Sequence, residues 1–241
     1  NLRPAGAYRG FGATQGIHAV ESAVDELAHK LGMDPAAIRE QNLVRQGQVM
    51  PSYFGEVNTS CTLDRCLERV KEMIGWEEKY PCRTLPNGHI RGVGLAMAMQ
   101  GSAISGIDVG GATLKVNDEG FVNLLIGAGD MGTGCDTTLA QVAAECLEVP
   151  VDQVVTAQVD TDTSPYDSGS YASSTAFLTG GAVYKCAQTL IGKIKAEAAR
   201  QKGWKIEDVD YHDALVEHIP TGETVTLAEV AYVSECGGVP M

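Results

Sequence analysis

The sequence predicts an α+β fold: layered mixed sheets packed by helices. Three observations predict it. Up to about residue 90, apolar residues recur at helical spacing between clear stop signals. From residue 91, short apolar stretches separated by glycines and by the turn Asn117-Asp118-Glu119-Gly120 read as strands. Beyond that turn, helical and strand patterns alternate. Three parts are expected: 1–90, mainly helical; 91–203, α/β, with a Gly-rich and a Ser/Thr-rich loop; and 204–241, mixed, without a strong signal and read as truncated. A chain of 241 residues with 44% hydrophobic content can fill one large domain or two small ones.

The elements follow in order. Residues 1–12 are rich in Gly, Pro and Arg and irregular. Ile17, Val20, Val24, Leu27 and Leu31 step by three and four, which predicts a helix capped by Thr14 and stopped by Gly32. Asp34 and Pro35 suit the cap and first position of a second helix, ending near Val44. After a polar loop over 46–61, Leu63, Cys66, Leu67, Val70 and Ile74 mark one face of a third helix behind Thr62. Residues 76–88 read as a connector. Strands are predicted over 91–100, 107–117 and 121–127, then a helix over 134–147 with Leu139, Val142, Ala143 and Cys146 inward. A strand over 151–159, a Ser/Thr/Asp/Gly loop over 160–171 and a long helix over about 172–202 complete the pattern.

Charge narrows the function. The formal net charge is −13, which argues against general nucleic-acid binding. Between Gly92 and Tyr184, Lys115 is the one basic residue against eleven acids, so an anionic ligand there has to be held by backbone amides, hydroxyls and helix starts. No apolar run reaches the ~18 residues of a membrane span. Seven scattered cysteines, an odd number, read as reduced thiols and place the protein in the cytoplasm. Cys61 and Cys66 lack the further Cys pair of a plant-type iron–sulfur site, and the five histidines lack zinc-site spacing. The start, Asn1-Leu2-Arg3-Pro4, is no signal peptide and suggests a fragment or processed chain.

Three segments can carry chemistry. In Ala7-Tyr8-Arg9-Gly10-Phe11-Gly12, an arginine between two aromatics can clamp a flat polar ring: the guanidinium takes oxygens and the ring stacks. A loop anchoring a domain entrance is the plainer reading. In Gly127-Ala128-Gly129-Asp130-Met131-Gly132-Thr133-Gly134, between a strand and a helix, amides can converge on an anion. It is neither a Walker loop nor a clean dinucleotide fingerprint, and a tight structural turn explains it as well. The run from Asp160 to Thr175 holds seven Ser/Thr hydroxyls between 161 and 174 and leads into a helix start, which suits a phosphate or oxo-anion, or simply a solvated, capped loop.

The order of these motifs resembles the xanthine dehydrogenase family of molybdenum hydroxylases, specifically their molybdenum-binding subunit. The residues that carry the resemblance are A-Y-R-G-F-G-A-T-Q-G at 7–16, G-A-G-D-M-G-T-G at 127–134, T-D-T-S-P-Y-D-S-G-S-Y-A-S-S-T at 161–175, and G-G-A-V-Y at 180–184, and it covers about 1–200. It implies a molybdopterin-binding α+β domain, incomplete relative to the family's full subunit. Family members insert water-derived oxygen into a C–H bond of a heterocycle or aldehyde. Their molybdenum is carried by a pyranopterin dithiolene, a glutamate acts as base, and electrons leave through [2Fe-2S] clusters to FAD on other domains or subunits. The cofactor here is then molybdenum-molybdopterin, possibly in its cytosine dinucleotide form, and the expected partners are the rest of the molybdenum subunit, iron–sulfur and flavin subunits and a small heterocycle, with no nucleic acid and no membrane.

The resemblance also assigns residues. Arg9 matches an arginine beside the substrate, Phe11 the ring stacking on it, and Tyr8 stands where Phe is more usual. Gly10 and Gly12 permit close backbone approach near the metal. Gly129, Met131, Gly132, Thr133 and Gly134 match the loop lining the pterin; Thr133 replaces a more usual Gln and needs a water to reach as far. Tyr171 and Ala172 match a segment beside the molybdenum, where xanthine-type enzymes often have two alanines, so Tyr171 narrows the pocket. Ser173, Ser174 and Thr175 match the stretch holding the pterin. Ser102 falls near a second stacking Phe of the animal enzymes. No side chain is expected to ligate the metal, which lies near Arg9, Thr133 and Ala172. These departures put xanthine itself in doubt and leave a purine, a nicotinate-like ring or another heterocycle open.

The family's base stands in a Gly-Glu-Pro context, and no such motif occurs in this sequence. The expectation is therefore one part of a split active site, inactive alone. The alternative is a non-catalytic ligand-binding or assembly module that keeps the scaffold.

Overall fold

The computed structural model describes residues 10–50, 55–104 and 106–238. Two compact units divide the chain, 1–100 and 101–241. Together they hold a mixed α+β content, as the patterns predict.

The first unit contains α1 (Ala13–Leu31), α2 (Pro35–Asn42), β1 (Val49–Met50), β2 (Glu56–Val57), α3 (Leu63–Ile74), α4 (Trp76–Lys79), β3 (Arg83–Thr84) and β4 (Ile90–Arg91). β1 with β2 and β3 with β4 are short antiparallel pairs. Asp34 caps α2 as predicted: one oxygen accepts from the Ala36 amide at 2.6 Å, the other from the Trp76 indole at 2.9 Å. Trp76 thereby joins Ala36 and Leu67 in a small core that Val93, Leu95 and Met97 cover.

Several expectations fail here for physical reasons. α1 begins one residue early, on a left-handed Gly12, and the Thr14 hydroxyl bonds Gln15 instead of capping. The apolar stripe of α1 is largely open: Val20 is 61%, Leu27 48% and Leu31 58% exposed. The face turned to α2 is ionic, with buried Arg39 held by Glu21 and Asp25, each at 2.8 Å. On α3 only Leu67 is buried, and Cys66 is exposed. The 76–88 connector holds α4 and β3. The 91–100 strand shrinks to the end of β4, yet Val93, Leu95 and Met97 still alternate inward against exposed neighbours. The alternation is real, but the Met97 amide bonds the Glu21 carboxylate, not a strand.

The second unit contains β5 (Ala112–Val116), β6 (Val122–Ile126), α5 (Cys135–Leu147), β7 (Val154–Thr156), α6 (Thr175–Lys202), β8 (Val209–His212), β9 (Leu215–His218), β10 (Glu223–Thr226) and α7 (Leu227–Cys236). β5 and β6 form an antiparallel hairpin, and α5 crosses over so that β7 pairs parallel with β6. Leu114, Val116, Val122, Leu124, Ile126 and Val154 face α5 and α6 in one apolar core. The 204–241 segment, unread in the sequence, supplies an antiparallel β8–β9–β10 sheet and α7, opened by a Thr226–Glu229 capping box. Val209, Val216, Val225 and Val230 from it enter the same core. The predicted 107–117 strand keeps only its second half, 112–116, and the 151–159 strand only its middle, with 151–153 a 3-10 turn.

Candidate functional site

The topology puts three loops at one end of the β5–β6–β7 sheet. One precedes β5, one follows β6 and one follows β7. Antiparallel β5 starts where β6 ends (Ala112 opposite Ile126), and parallel β7 ends on the same side. Open sheets place ligands at such strand ends.

The loops are stitched together at close range. The 160–174 loop lies over the other two, where an added Cβ on Gly127 would fall 2.3 Å from the Pro165 carbonyl oxygen and one on Gly111 2.5 Å from that of Tyr166. Both glycines are therefore required for contact, not for a ligand. Asp167 accepts from the Gly169 amide and from the Thr179 hydroxyl, both at 2.8 Å. Ser168 exchanges bonds with the amide and carbonyl of Val109, and Ser170 donates to the Gly129 carbonyl at 2.9 Å. Tyr171 donates its hydroxyl to Asp108 at 2.5 Å, and the Ala103 amide bonds the Ala172 carbonyl at 2.7 Å. Tyr171 holds its proton above the ordinary tyrosine range, chiefly because of that Asp108 bond.

The Gly-rich loop already contains its anion. Asp130 Oδ1 accepts from the amides of Gly132, Thr133 and Gly134 at 2.8, 2.9 and 3.1 Å. The Gly132 amide, joined by those of Gly134, Asp136 and Thr133, holds Asp130 below the ordinary carboxylate range. This corrects the expectation that these amides converge on an outside ligand. An aspartate followed by G-T-G is a side-chain-to-backbone turn signature, readable in the sequence. Nearby Cys135 is buried, and burial keeps its thiol protonated.

The 28-residue α6, like α5, starts without a side-chain cap, but it starts behind strained backbone. The two residues before Ser174, Ala172 and Ser173, are left-handed at φ 51° and 57°, so the helix begins at Thr175 and not at 172. Left-handed backbone at consecutive non-glycine residues is strained and persists only where surroundings impose it. Ser174 is buried and spends its hydroxyl on the Tyr171 carbonyl at 2.7 Å. Ser173 is exposed, and Thr175 half-buried. The donor set, an uncapped helix start flanked by hydroxyls, suits an anionic group. On the Gly-rich loop, which Ser170 ties to this segment through Gly129, a Cβ on Gly129, Gly132 or Gly134 would meet nothing within 4 Å.

The sequence-derived residues thus divide. Ser102 (through its neighbour Ala103), Gly129, Tyr171 and Ala172 lie on segments the structure brings together in the second unit. Met131 and Thr133 are exposed on the same loop. Gly10 and Gly12, both at positive φ, and Phe11, 53% exposed and left-handed at φ 55°, belong to the first unit. Tyr8 and Arg9 lie outside the described residues. Asp108 and Thr179 are site-shaping residues that motif reading passes over, while Asp130 and Asp167 stand within the motifs as the acids to watch.

The molybdopterin cofactor-binding domain family matches residues 69–240, and a second domain of the same description matches 1–43. The chain belongs to that family. Within it, the chain is 36% identical to the xanthine dehydrogenase molybdenum-binding subunit of Escherichia coli O157:H7, over 99% of this chain and 33% of that protein. The nicotine 6-hydroxylase large subunit of Paenarthrobacter nicotinovorans is 31% identical over 96% of this chain and 30% of its own length. Quinoline 2-oxidoreductase from Pseudomonas putida 86 superimposes with a TM-score of 0.72 at 25% identity, covering 98% of this chain and 32% of that one. The chain spans about a third of the length of the curated relatives it matches. Among the described residues, no helix is long and apolar enough to cross a membrane.

Proposed function

We propose that this chain contributes part of the cofactor and substrate site of a xanthine dehydrogenase-like hydroxylase that oxidises an N-heterocycle, such as a purine, with water-derived oxygen. The observation that carries the reading is the uncapped start of α6 behind the strained Ala172–Ser173 pair. Helix-start amides favour negative charge by ~0.3–1 kcal/mol, more where water is excluded. They do so without the lysines that this stretch lacks.

In this reading Ala172, Ser173, Ser174 and Thr175 hold the molybdopterin through backbone and hydroxyls, with Ser174 shaping the backbone. Gly129, Met131, Gly132, Thr133 and Gly134 form the opposite wall, kept in shape by Asp130. Gly10 and Gly12 allow close backbone approach. When bound, the cofactor supplies a metal centre that takes two electrons from the substrate carbon. Arg9 takes substrate oxygens, Phe11 stacks on the ring, and Tyr8, Ser102 and Tyr171 bound the substrate. FAD and [2Fe-2S] partners carry the electrons away, in the cytoplasm. The cytosine dinucleotide form of the cofactor extends the same anionic contacts.

The test is a molybdenum and pterin assay on the protein purified with the partners that accompany it. About one molybdenum per chain is expected; none in a complete complex overturns the reading in favour of a non-catalytic module. The 241-residue chain alone is expected not to hydroxylate purines, nicotinate or aldehydes. Turnover by that chain would overturn the split-site part.

A further inference from the structure

Tyr171 occupies a position at which the family resemblance expects a small residue, yet its hydroxyl is tied to another loop. Its partner, Asp108, lies 63 positions away and is half-buried, as is Tyr171. The second oxygen of Asp108 accepts the Ile104 amide at 2.6 Å. Next to it, the Ala103 amide bonds the Ala172 carbonyl. Ala103 is itself left-handed, at φ 66°, facing the left-handed pair Ala172 and Ser173. Three strained alanine or serine residues therefore meet across one contact, on two segments with no shared secondary structure. Such backbone persists only where its surroundings impose it. The Asp108 carboxylate bonds both sides, through Ile104 on one and Tyr171 on the other.

We propose that Tyr171 and Asp108 form a latch that holds Ala172 and Ser173 in the left-handed conformation that receives the cofactor. They are positioning residues: neither needs to touch the cofactor. The proposal rests on the reading that 172–175 is the cofactor-holding segment. It also changes what the tyrosine does there. An alanine at 171 leaves the segment free to be shaped by other contacts. A tyrosine with Asp108 in reach supplies its own constraint, and its ring is held by its hydroxyl at the Asp108 side. A hydrogen bond to a charged acceptor is the stronger kind, about twice a neutral one.

The test uses the protein purified with its accompanying partners, as wild type, Tyr171→Phe, Asp108→Ala and the double variant, with Tyr232→Phe, an exposed residue of α7, as control. Two quantities are read: amide hydrogen exchange at Ala103 and Ile104, and the rate at which pterin is released into buffer, followed by its fluorescence after oxidation. In Tyr171→Phe both are expected to rise about tenfold, the effect of losing one charge-assisted bond. The double variant is expected to match the worse single variant, because coupled groups are not additive. Exchange in Tyr171→Phe within twofold of wild type overturns the latch. So do single effects that multiply in the double, or faster exchange with unchanged pterin release. If the wild-type complex holds no pterin, the functional reading falls, and exchange alone decides whether Tyr171 and Asp108 lock the two loops.

Discussion

At the scale of residues, two aspartates do what the glycines and serines around them suggest. Asp130 gathers three amides of the Gly-rich loop, so the loop is closed by its own carboxylate. Its lowered pKa fixes the sign of a pH effect. The ordered loop is favoured above the ordinary aspartate value of 3.8 and is lost as pH falls through the lowered native value. We expect amide exchange at Gly132–Gly134 to be slow from neutral pH down to about 4, after correction for intrinsic rates, and to rise below it. In Asp130→Ala it should be fast throughout, by about tenfold at neutral pH. Equal protection in variant and wild type would sink this account. Asp167 binds its own loop to α6 in the same way, through Gly169 and Thr179. The acids that made this stretch hostile to anions are thus partly consumed inside the loops.

At the scale of elements, apolar periodicity says that a face wants cover but not what covers it. The α1 stripe predicts a buried face, yet α1 meets α2 through Glu21, Asp25 and Arg39. Removing Arg39 leaves Glu21, itself a partner of the Met97 amide, short of its counter-charge. We expect Arg39→Met to cost about 3 kcal/mol in urea unfolding. Leu27→Ser, on the open stripe, should cost less than about 0.5 kcal/mol. The reverse order would show that the stripe, not the ion pairs, seats the helix. The 91–100 stretch teaches the same lesson for strands. Its period-two burial holds from Val93 to Met97, but a strand also needs a neighbour, which alternation cannot supply. In contrast, the cap of α2 and the stops and inward faces of α5 and α6 were readable because they are local. The Thr226–Glu229 capping box of α7 was equally local and equally present in the sequence.

At the scale of the whole molecule, the core of the second unit draws on elements from β5 through α7. That core includes the C-terminal sheet, with Tyr211 donating its hydroxyl to the Leu147 carbonyl at 2.6 Å. We expect a 101–241 fragment to unfold cooperatively by itself in a thermal melt, and a 101–203 fragment, which loses Val209, Val216, Val225 and Val230, to fail to do so. A sharp melt from the shorter piece would show that the C-terminal segment is an appendage.

The amino-acid sequence by itself determined the family and the α+β class, with α2, α5 and the β5–β6 hairpin in order, because those signals lie within a few residues of one another. The tertiary structure alone decided that α6 starts behind two left-handed residues, that Ser170 reaches Gly129, and that Tyr171 reaches back to Asp108. Those outcomes depend on groups that pack together from positions such as 108 and 171, or 129 and 170. No local propensity encodes a contact at that range: it follows from strand order, which brings three loop ends to one edge of a sheet.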